Sequence, residues 1–400
     1  MLNVDAIRRD FPILNKGLIY FDSAASSLTP EQVVLKEMEF YREYRANVER
    51  GVHRWGQRAN AEFEGAHEEV AKFINAPGPE NVAMLRNTTE GINLVANSLD
   101  WKKGDKIVTT VIEHHSNFIT WLRVGNRFGC TVSVVRSTTE GIFDLNDFEK
   151  IIDDKTRIVA VTGVSNVLGV IVPVKEIAEI AHMHGAKMLV DGAQSVPHIK
   201  TDVKRDKIDF LAFSGHKMLG PTGVGGLYIG EEELYTTEPL CIGGGTIADV
   251  NIDSYTLTEP PLRFEAGTPA IAQVIGLGEA CRYLNRVGME NITQWDHVLA
   301  EKMVEGLSEI DGVTMYGPTD PKKRVGLVTF NIRDLNPVDV ALTLDNDFDI
   351  AVRSGHHCAL PLMKELFNLN EGNVRASSYL YNTKEEVEKL LAAIEEIAKK

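Results

Sequence analysis

Short apolar runs alternate with amphipathic stretches between about residues 80 and 230. Runs rich in Val, Ile, Leu and Phe predict strands at 81–85, 106–111, 131–135, 157–162, 187–190, 210–213 and 226–229. Helical periodicity lies between most of the earlier ones, at 117–128, 144–152 and 173–184. Because strands that alternate with helices are typical of a mainly parallel sheet covered on both faces, we predict a large α/β domain.

The C-terminal part of the chain has a different order of elements. From about residue 273 long helical patterns come first, followed by the strand-like VGLVTFNI, a helix from Pro337, a short strand DIAV and a closing helix at 383–398. This order predicts a smaller α+β domain. Four hundred residues exceed what one compact core usually holds. We therefore predict a large domain at residues 20–270 and a small domain at 271–400, joined by the N-terminal segment 1–19.

Composition and charge narrow the class of protein. The hydrophobic fraction of 44% and charged fraction of 25% are ordinary for a soluble globular protein. No stretch approaches the roughly 20 apolar residues of a membrane span, and the start MLNVDAIRRDFPIL lacks the pattern of a secretory signal. A net charge of −15 argues against a nucleic-acid-binding surface. We expect a cytoplasmic protein that binds neither membranes nor nucleic acid.

The strongest chemical signal is an aspartate and a lysine that each follow an apolar strand. Asp191 lies in MLVDGAQS and Lys217 in DFLAFSGHK. In parallel α/β sheets the carboxyl ends of strands meet at one crevice, where a carboxylate can keep a heterocyclic nitrogen protonated and a lysine can bond an aldehyde. Either residue alone is also typical of an ordinary turn or surface. The pair, with the Ser, His and Gly around it, predicts a pyridoxal 5′-phosphate (PLP) site.

A phosphate group needs a cradle, and the segment RNTTEG after the first predicted strand provides one. Asn87 and Glu90 are spaced as a helix N-cap and its capping-box partner. Backbone N–H groups and threonine hydroxyls at such a helix start favour an anion. The pattern is common in proteins, and its place at a strand end is what connects it to the predicted site.

Other polar residues fit around the same ring. His114, in IEHHSN, is suited to stack on the pyridine face, while Asn166 in SNVLG and Gln194 in DGAQ are suited to bond its oxygen. Arg375 follows a short strand and suits a two-pronged clamp on a carboxylate. His115 is expected to be a surface histidine.

One cysteine is a candidate nucleophile. Cys358 lies in RSGHHCALP, where neighbouring imidazoles are expected to raise its thiolate fraction, whereas Cys281 and Cys130 have the setting of packed residues. A metal site is the alternative. Because the adjacent His356, His357 and Cys358 cannot easily converge on one ion and no second ligand pair stands at zinc spacing, we favour the nucleophile and expect no metal.

Motifs along nearly the whole chain resemble one family. The ordered motifs include YFDSAASS, RGVHRWG, TTEGINLVANS, EHHSN, SNVLG, DGAQS, SGHKMLGPTGVGGLY, GGGT, FEAGTP, RSGHHCA and VRAS. Together they resemble the class V aminotransferase-like group of fold-type I PLP enzymes, and within it the cysteine desulfurases of the SufS type. The resemblance implies an α/β fold-type I transferase with a large, mainly parallel sheet domain and a smaller α+β C-terminal domain.

The resemblance also implies roles for individual residues. Lys217, Cys358 and His114 would be catalytic, with Lys217 carrying the cofactor and Asp191 pairing with its ring nitrogen. Thr268 would reach the phosphate from a partner subunit. The full cofactor-binding set implied is Thr88, Thr89, His114, Asn166, Asp191, Gln194, Ser214, His216, Lys217 and Thr268. The substrate-binding set implied is His53, Asn166, Arg353 and Arg375.

The activity implied is conversion of L-cysteine to L-alanine by a homodimer. Cys358 would take the sulfur as a persulfide and pass it to an acceptor or scaffold protein for iron–sulfur cluster assembly. A selenocysteine lyase or cysteine-sulfinate desulfinase on the same scaffold is the nearest alternative. Cys358 discriminates between them, because sulfur transfer from cysteine requires its thiol and the other two reactions can proceed without it. A non-catalytic binding protein is the alternative from another class, and the Lys217–Asp191 pair argues against it.

Overall fold

The strands form one large sheet, one small sheet and two short pairings in a computed structural model that describes residues 2–399. Buried β-branched and aromatic side chains fill most of the longer strands. In chain order the strands are β1 Ile19–Tyr20, β2 Val82–Leu85, β3 Lys106–Thr110, β4 Thr131–Val135, β5 Thr156–Thr162, β6 Lys187–Asp191, β7 Phe210–Ser214, β8 Gly225–Ile229, β9 Ile247–Val250, β10 Tyr255–Leu257, β11 Val313–Tyr316, β12 Leu327–Ile332, β13 Ile350–Ala351, β14 Arg353–Gly355 and β15 Asn373–Ser377.

Helices cover both sheets. They are α1 Val4–Arg8, α2 Glu31–Glu43, α3 Arg54–Phe73, α4 Thr88–Ser98, α5 Ile119–Phe128, α6 Leu145–Ile151, α7 Val174–Met183, α8 Ser195–His198, α9 Ile271–Val287, α10 Met289–Glu309, α11 Pro337–Phe348, α12 Leu360–Leu362 and α13 Lys384–Ala398. Within residues 2–399, none of these helices combines the length and the low charge needed to cross a membrane.

The large sheet has seven strands in the order β2-β8-β7-β6-β5-β3-β4. The neighbours from β7 to β4 run parallel, and β8 runs antiparallel to both β7 and β2. All seven strands lie within two residues of the predicted positions, because each is a short β-rich run, and all but the edge strand β4 are largely buried. The parallel register aligns Thr162, Asp191 and Ala212, so the ends of β5, β6 and β7 lie side by side.

Two glycines allow the antiparallel strand β8 to approach β7 closely. A side chain at Gly225 would collide with the carbonyl of Phe213 and the backbone of Asn87, and one at Gly226 would collide with the Phe213 ring. The chain therefore turns back directly after β7, and the short 3₁₀ turn Gly215–Lys217 lies at the start of this return. This turn places Lys217 beside the end of β6.

The small sheet has the order β11-β12-β15-β14, with every pair antiparallel. Its core joins Phe330 and Val374 to Leu299 of α10 and Leu390 of α13. The predicted strand DIAV is only two residues long as β13, and it pairs in parallel with β1, with Ile350 opposite Ile19. This pairing attaches the start of the chain to the segment just before β14 of the small sheet.

Helix α9 packs with the large sheet's core. Ile275, Cys281 and Leu284 of α9 share one hydrophobic cluster with Phe63 and Val70 of α3. Residues 271–287 fall in the predicted small domain, yet their apolar face is buried with the large one. The predicted boundary between residues 270 and 271 stays a prediction.

Candidate active site

A cavity of about 270 Å³ opens at the carboxyl ends of β5, β6 and β7. This is where a parallel α/β sheet is expected to bind a ligand. The structure brings most of the predicted site residues together around it. Those lining the cavity are Thr88, Thr89, His114, Asn166, Asp191, Gln194, Ser214, His216, Lys217, Arg353, Cys358 and Arg375.

Two predicted residues lie elsewhere in the single chain. Thr268 is exposed and lines a separate cavity with Leu240 and Cys241. His53 is also exposed, and its Nδ1 accepts a hydrogen bond of 3.3 Å from the Gly56 N–H at the start of α3. Neither side chain lines the cavity of its own chain, and the roles predicted for both stay predictions.

Asp191 and Lys217 form the floor of the cavity. Asp191 ends β6, is buried, and accepts a hydrogen bond of 3.0 Å from the Ala193 N–H, while burial raises the pKa of its carboxyl group. Burial lowers the pKa of Lys217 to about 8, an effect that the Asp191 charge opposes and the Arg375 charge assists. A lysine with this pKa has a substantial neutral, nucleophilic fraction near neutral pH.

One end of the cavity is built from the start of α4. The Thr88 N–H donates to the Ser214 hydroxyl at 2.9 Å, and the Thr88 and Ser214 hydroxyls are 2.7 Å apart. The hydroxyls of Thr89 and Ser116 are also 2.7 Å apart. Four hydroxyls and a helix N-terminus at one end of a cavity suit a phosphate group.

The predicted capping box at this helix is only half formed. Asn87 caps α4 as expected, because its side chain accepts a hydrogen bond of 3.0 Å from the Glu90 N–H. The Glu90 carboxylate, however, accepts from the N–H of Arg86 at 2.6 Å and from its guanidinium group, instead of from the N–H of Asn87. The reciprocal bond is displaced by one residue because the Arg86 side chain pairs with the same carboxylate.

Two histidines facing the cavity are neutral. Burial, with a smaller effect of the Lys217 charge, lowers the pKa of His114 to about 3, and its Nδ1 accepts from the Ser116 N–H at 3.1 Å. The same two causes lower the pKa of His216 to about 4. An uncharged, fixed His114 ring is suited to lie flat against a heteroaromatic ring.

The two amide side chains are fixed by backbone carbonyls. Asn166 Nδ2 donates to the His357 carbonyl and Gln194 Nε2 donates to the Ala24 carbonyl, each at 2.7 Å. Each amide nitrogen has a second N–H that is suited to a ring oxygen. The sequence analysis did not select Ala24 or His357, although both lie in motifs that it quoted.

Two arginines converge on Asp22, which the sequence analysis missed. Arg375 is buried on β15, donates to the Asn166 carbonyl at 2.9 Å and to Asp22 Oδ1 at 3.2 Å, and burial lowers its pKa to about 10. Arg353 Nη1 lies 3.8 Å from Asp22 Oδ2. The Arg375 Nε has no partner among the residues that the structure describes, which leaves a buried donor for a substrate carboxylate.

Cys358 lies exposed at the mouth of the cavity, after β14. The neighbouring imidazole does not carry the positive charge that we expected. Burial lowers the pKa of His357 to about 3, and its Nε2 lies 2.8 Å from Asn373 Oδ1. Cys281 is fully buried and Cys130 is partly buried, and among residues 2–399 no cysteine other than Cys358 lines this cavity.

The residues of the cavity fit PLP. The buried Asp191 carboxylate suits the ring nitrogen, and Lys217, whose pKa is lowered, suits the aldehyde. The neutral His114 suits the face of the ring, and the hydroxyl groups at the start of α4 suit the phosphate. The family model for aminotransferase class-V matches residues 19–390. The chain belongs to the class-V aminotransferase family.

Members of known sequence and structure align with this class-V aminotransferase over nearly its whole length. A probable cysteine desulfurase of Halalkalibacterium halodurans is 48% identical, covering 98% of each chain. The apo structure of a cysteine desulfurase from Thermococcus onnurineus NA1 is 48% identical with a TM-score of 0.96, covering 100% of this chain and 98% of that one. A C-DES variant with glycine covalently linked to its PLP cofactor is 26% identical with a TM-score of 0.85, covering 97% and 98%.

These similarities confirm the predicted family, the fold-type I architecture and PLP as the cofactor. The structure places the predicted site residues of one chain around one cavity, apart from Thr268 and His53. Their individual roles remain predictions, which the next section develops.

Proposed function

We propose that this class-V aminotransferase is a PLP-dependent cysteine desulfurase, which converts L-cysteine to L-alanine and retains the sulfur as a persulfide on Cys358. The observation that carries the proposal is the arrangement of one cavity, with Lys217 and Asp191 at its floor and an exposed thiol at its mouth. Relatives 45–49% identical over nearly the full chain are named probable cysteine desulfurases, which supports the same activity here.

The floor residues manage protons and charge. When bound, PLP supplies an electron sink for the α-carbon of an amino acid. Asp191 would hold the ring nitrogen in its protonated form, because a buried carboxylate whose one hydrogen bond comes from Ala193 favours a charged partner. Lys217 would hold the cofactor through its amine, and the same amine, when free, is placed to move a proton at the substrate α-carbon. The neutral His114 holds the ring plane.

The substrate carboxylate is bound at the arginines. Arg375 is fixed by the Asn166 carbonyl and retains a buried Nε donor, so it binds a carboxylate without first losing that anchor. Arg353 adds a second positive charge from the partly exposed side. Together they orient the amino acid with its side chain toward Cys358.

Sulfur transfer takes place at the mouth of the cavity. The Cys358 thiolate forms an S–S bond to the substrate sulfur while the substrate Cβ–S bond breaks, and that electron pair stays with the three-carbon product, which leaves as alanine after protonation. The exposed position of Cys358 leaves the resulting persulfide open to a second protein.

The wider assignments belong to the same proposal. The enzyme acts as a homodimer in the cytoplasm, with Thr268 and His53 completing the cavity of the partner, and it passes sulfur to an acceptor or scaffold protein for iron–sulfur cluster assembly. Support for the dimer comes from the exposed positions of both residues outside their own cavity. The chain is divided into the large domain 20–270 and the small domain 271–400 joined by residues 1–19.

The thiol of Cys358 discriminates between desulfurase and the closest alternatives. We expect Cys358→Ala to bind PLP normally, release almost no alanine from cysteine and form no persulfide, yet keep substantial activity on selenocysteine or cysteine sulfinate, whose leaving groups depart more readily. Alanine release and mass spectrometry after brief exposure to cysteine measure both outcomes.

Cys241→Ala is the matched control, because Cys241 is equally exposed but lies outside the cavity. We expect this variant to keep wild-type turnover. Full cysteine turnover by Cys358→Ala, or the added sulfur appearing on another cysteine, would overturn the proposal.

A further inference from the structure

We propose that His115 is a positioning residue that fixes the Cys358 loop in the geometry for sulfur transfer, an inference that rests on the nucleophile role proposed above. Two bonds from His115 reach across Ala359. The His115 N–H donates to the Cys358 carbonyl at 2.6 Å, and the ring Nε2 accepts from the Leu360 N–H at 3.0 Å. The residue predicted to be a surface histidine is half-buried between the two.

The second bond specifies the form of the ring. Nε2 accepts from a backbone N–H, so its lone pair must be free and the ring proton must lie on Nδ1. Burial and the nearby His356 lower the pKa of His115, in agreement with a neutral ring. The loop is therefore held by an acceptor that neither a protonated imidazole nor an apolar side chain can provide.

The loop needs such support because its backbone is unusual. His357 and Cys358 have φ values of 49° and 56°, which lie in the left-handed region that residues other than glycine rarely adopt. The His357 carbonyl is held by Asn166 at 2.7 Å, and the Cys358 carbonyl by His115. The bond to the Cys358 carbonyl comes from the His115 backbone, whereas the ring holds the Leu360 N–H two residues further along. Loss of the ring bond therefore loosens the end of the strained segment, next to the thiol.

On its other side, His115 belongs to a rigid segment of the large domain. The fully buried Glu113 accepts hydrogen bonds from the Thr162 N–H at 3.0 Å and from Asn117 Nδ2 at 2.6 Å. The next residue, His114, faces the cofactor cavity. Three consecutive side chains thus contact the sheet, the cavity and the nucleophile loop, so the position of the thiol is set relative to the ring.

The test compares His115→Leu, which removes the acceptor, with His115→Gln, whose side-chain oxygen can replace Nε2. We expect His115→Leu to slow single-turnover persulfide formation from cysteine by about 10-fold or more. His115→Gln should recover most of that rate. Turnover of cysteine sulfinate, which does not use the thiol, should change by less than about two-fold in both variants, and the visible spectrum of the bound cofactor should stay as in wild type.

Each outcome decides the question. Wild-type persulfide formation by His115→Leu overturns the inference, as does an equal loss on cysteine and sulfinate with an altered cofactor spectrum, which would indicate a general structural role through His114. If His115→Leu does not fold, His115→Asn replaces it in the test, because the asparagine side chain is too short for its oxygen to reach the Leu360 N–H. The Cys358→Ala result separates the two proposals, since full cysteine turnover there refutes the nucleophile itself.

Discussion

At the scale of single residues, the site depends on charges that burial has altered. Lys217 has a pKa of about 8, and His114, His216 and His357 are neutral because burial lowers their pKa values. Permanent positive charge lies at Arg353 and Arg375, where we propose that a carboxylate binds, whereas the charge of Lys217 changes near neutral pH. The cavity thus separates a region for proton transfer from a region for anion binding.

The pKa of Lys217 predicts how the cofactor-free enzyme captures PLP. Only the neutral amine attacks the aldehyde, and its fraction rises as the pH passes upward through the pKa. We expect the rate of covalent capture to rise between pH 7 and 9 with an apparent pKa near 8, well below the ordinary lysine value of about 10.4. Stopped-flow absorbance measures the rate.

Lys217→Ala serves as the blank, because it removes the amine and should show no covalent incorporation. A capture rate that keeps rising steeply beyond pH 9.5 would show that burial does not lower this pKa.

At the scale of elements, α4 joins the sheet to the phosphate end of the cavity. Because Gly225 has no side chain, the backbone of Asn87 can lie close to β8. Asn87 also caps the helix whose first residues are Thr88 and Thr89. The cap therefore acts on both the helix and the groups that bind phosphate.

Replacement of the cap predicts weaker cofactor binding. Asn87→Ala loses the bond to the Glu90 N–H, which costs about 1 kcal/mol, so the dissociation constant for PLP should rise up to about 5-fold. Equilibrium dialysis or fluorescence titration of the cofactor-free enzyme measures this change. Asn87→Ser keeps a capping oxygen and should bind PLP within two-fold of wild type; equal weakening in both variants would assign the effect to the side-chain volume of Asn87 instead of to the cap.

Elements that bury continuous apolar runs were predictable, and those defined by distant contacts were not. Strands such as Lys187–Asp191 match the predicted bounds to within one residue because their sequence alone carries the signal. The antiparallel direction of β8 depends on its close approach to Phe213, and β1 exists only because it pairs with β13. In the site, Asp191 and Lys217 could be predicted because each comes at the end of an apolar strand. The contact of His115 with Leu360 could not be predicted, because it joins residues far apart in the chain.

At the scale of the whole molecule, Arg324 lies where the segment before β12 meets the loop that follows β5. It is fully buried, donates to the Pro318 carbonyl at 2.6 Å and through Nε to the Leu327 carbonyl at 3.1 Å, and its backbone forms a β-bridge with Val170. Its contacts are to carbonyl groups, and burial lowers its pKa to about 9. The guanidinium fork braces the turn between Pro318 and Leu327, and the backbone bridge joins that turn to the loop that follows β5.

Loss of this fork predicts a less stable protein. Arg324→Lys keeps the charge but cannot bond both carbonyls, and each carbonyl left without a partner costs about 1–3 kcal/mol. We expect the thermal midpoint to fall by several degrees in differential scanning calorimetry. Arg333→Lys, at an exposed position, should change it by less than a degree; an equal shift in both would show that the fork adds no stability.

The pairing of β1 with β13 has a consequence for when the enzyme becomes active during its synthesis. The Phe21 N–H bonds the Ala351 carbonyl at 2.9 Å, and the next residue, Asp22, holds Arg375. One side of this contact is translated among the first residues and the other only after the large sheet is complete. A nascent chain that already contains Lys217 therefore still lacks Arg375 and Cys358, so the proposed sulfur transfer cannot begin until β13 to β15 have been translated.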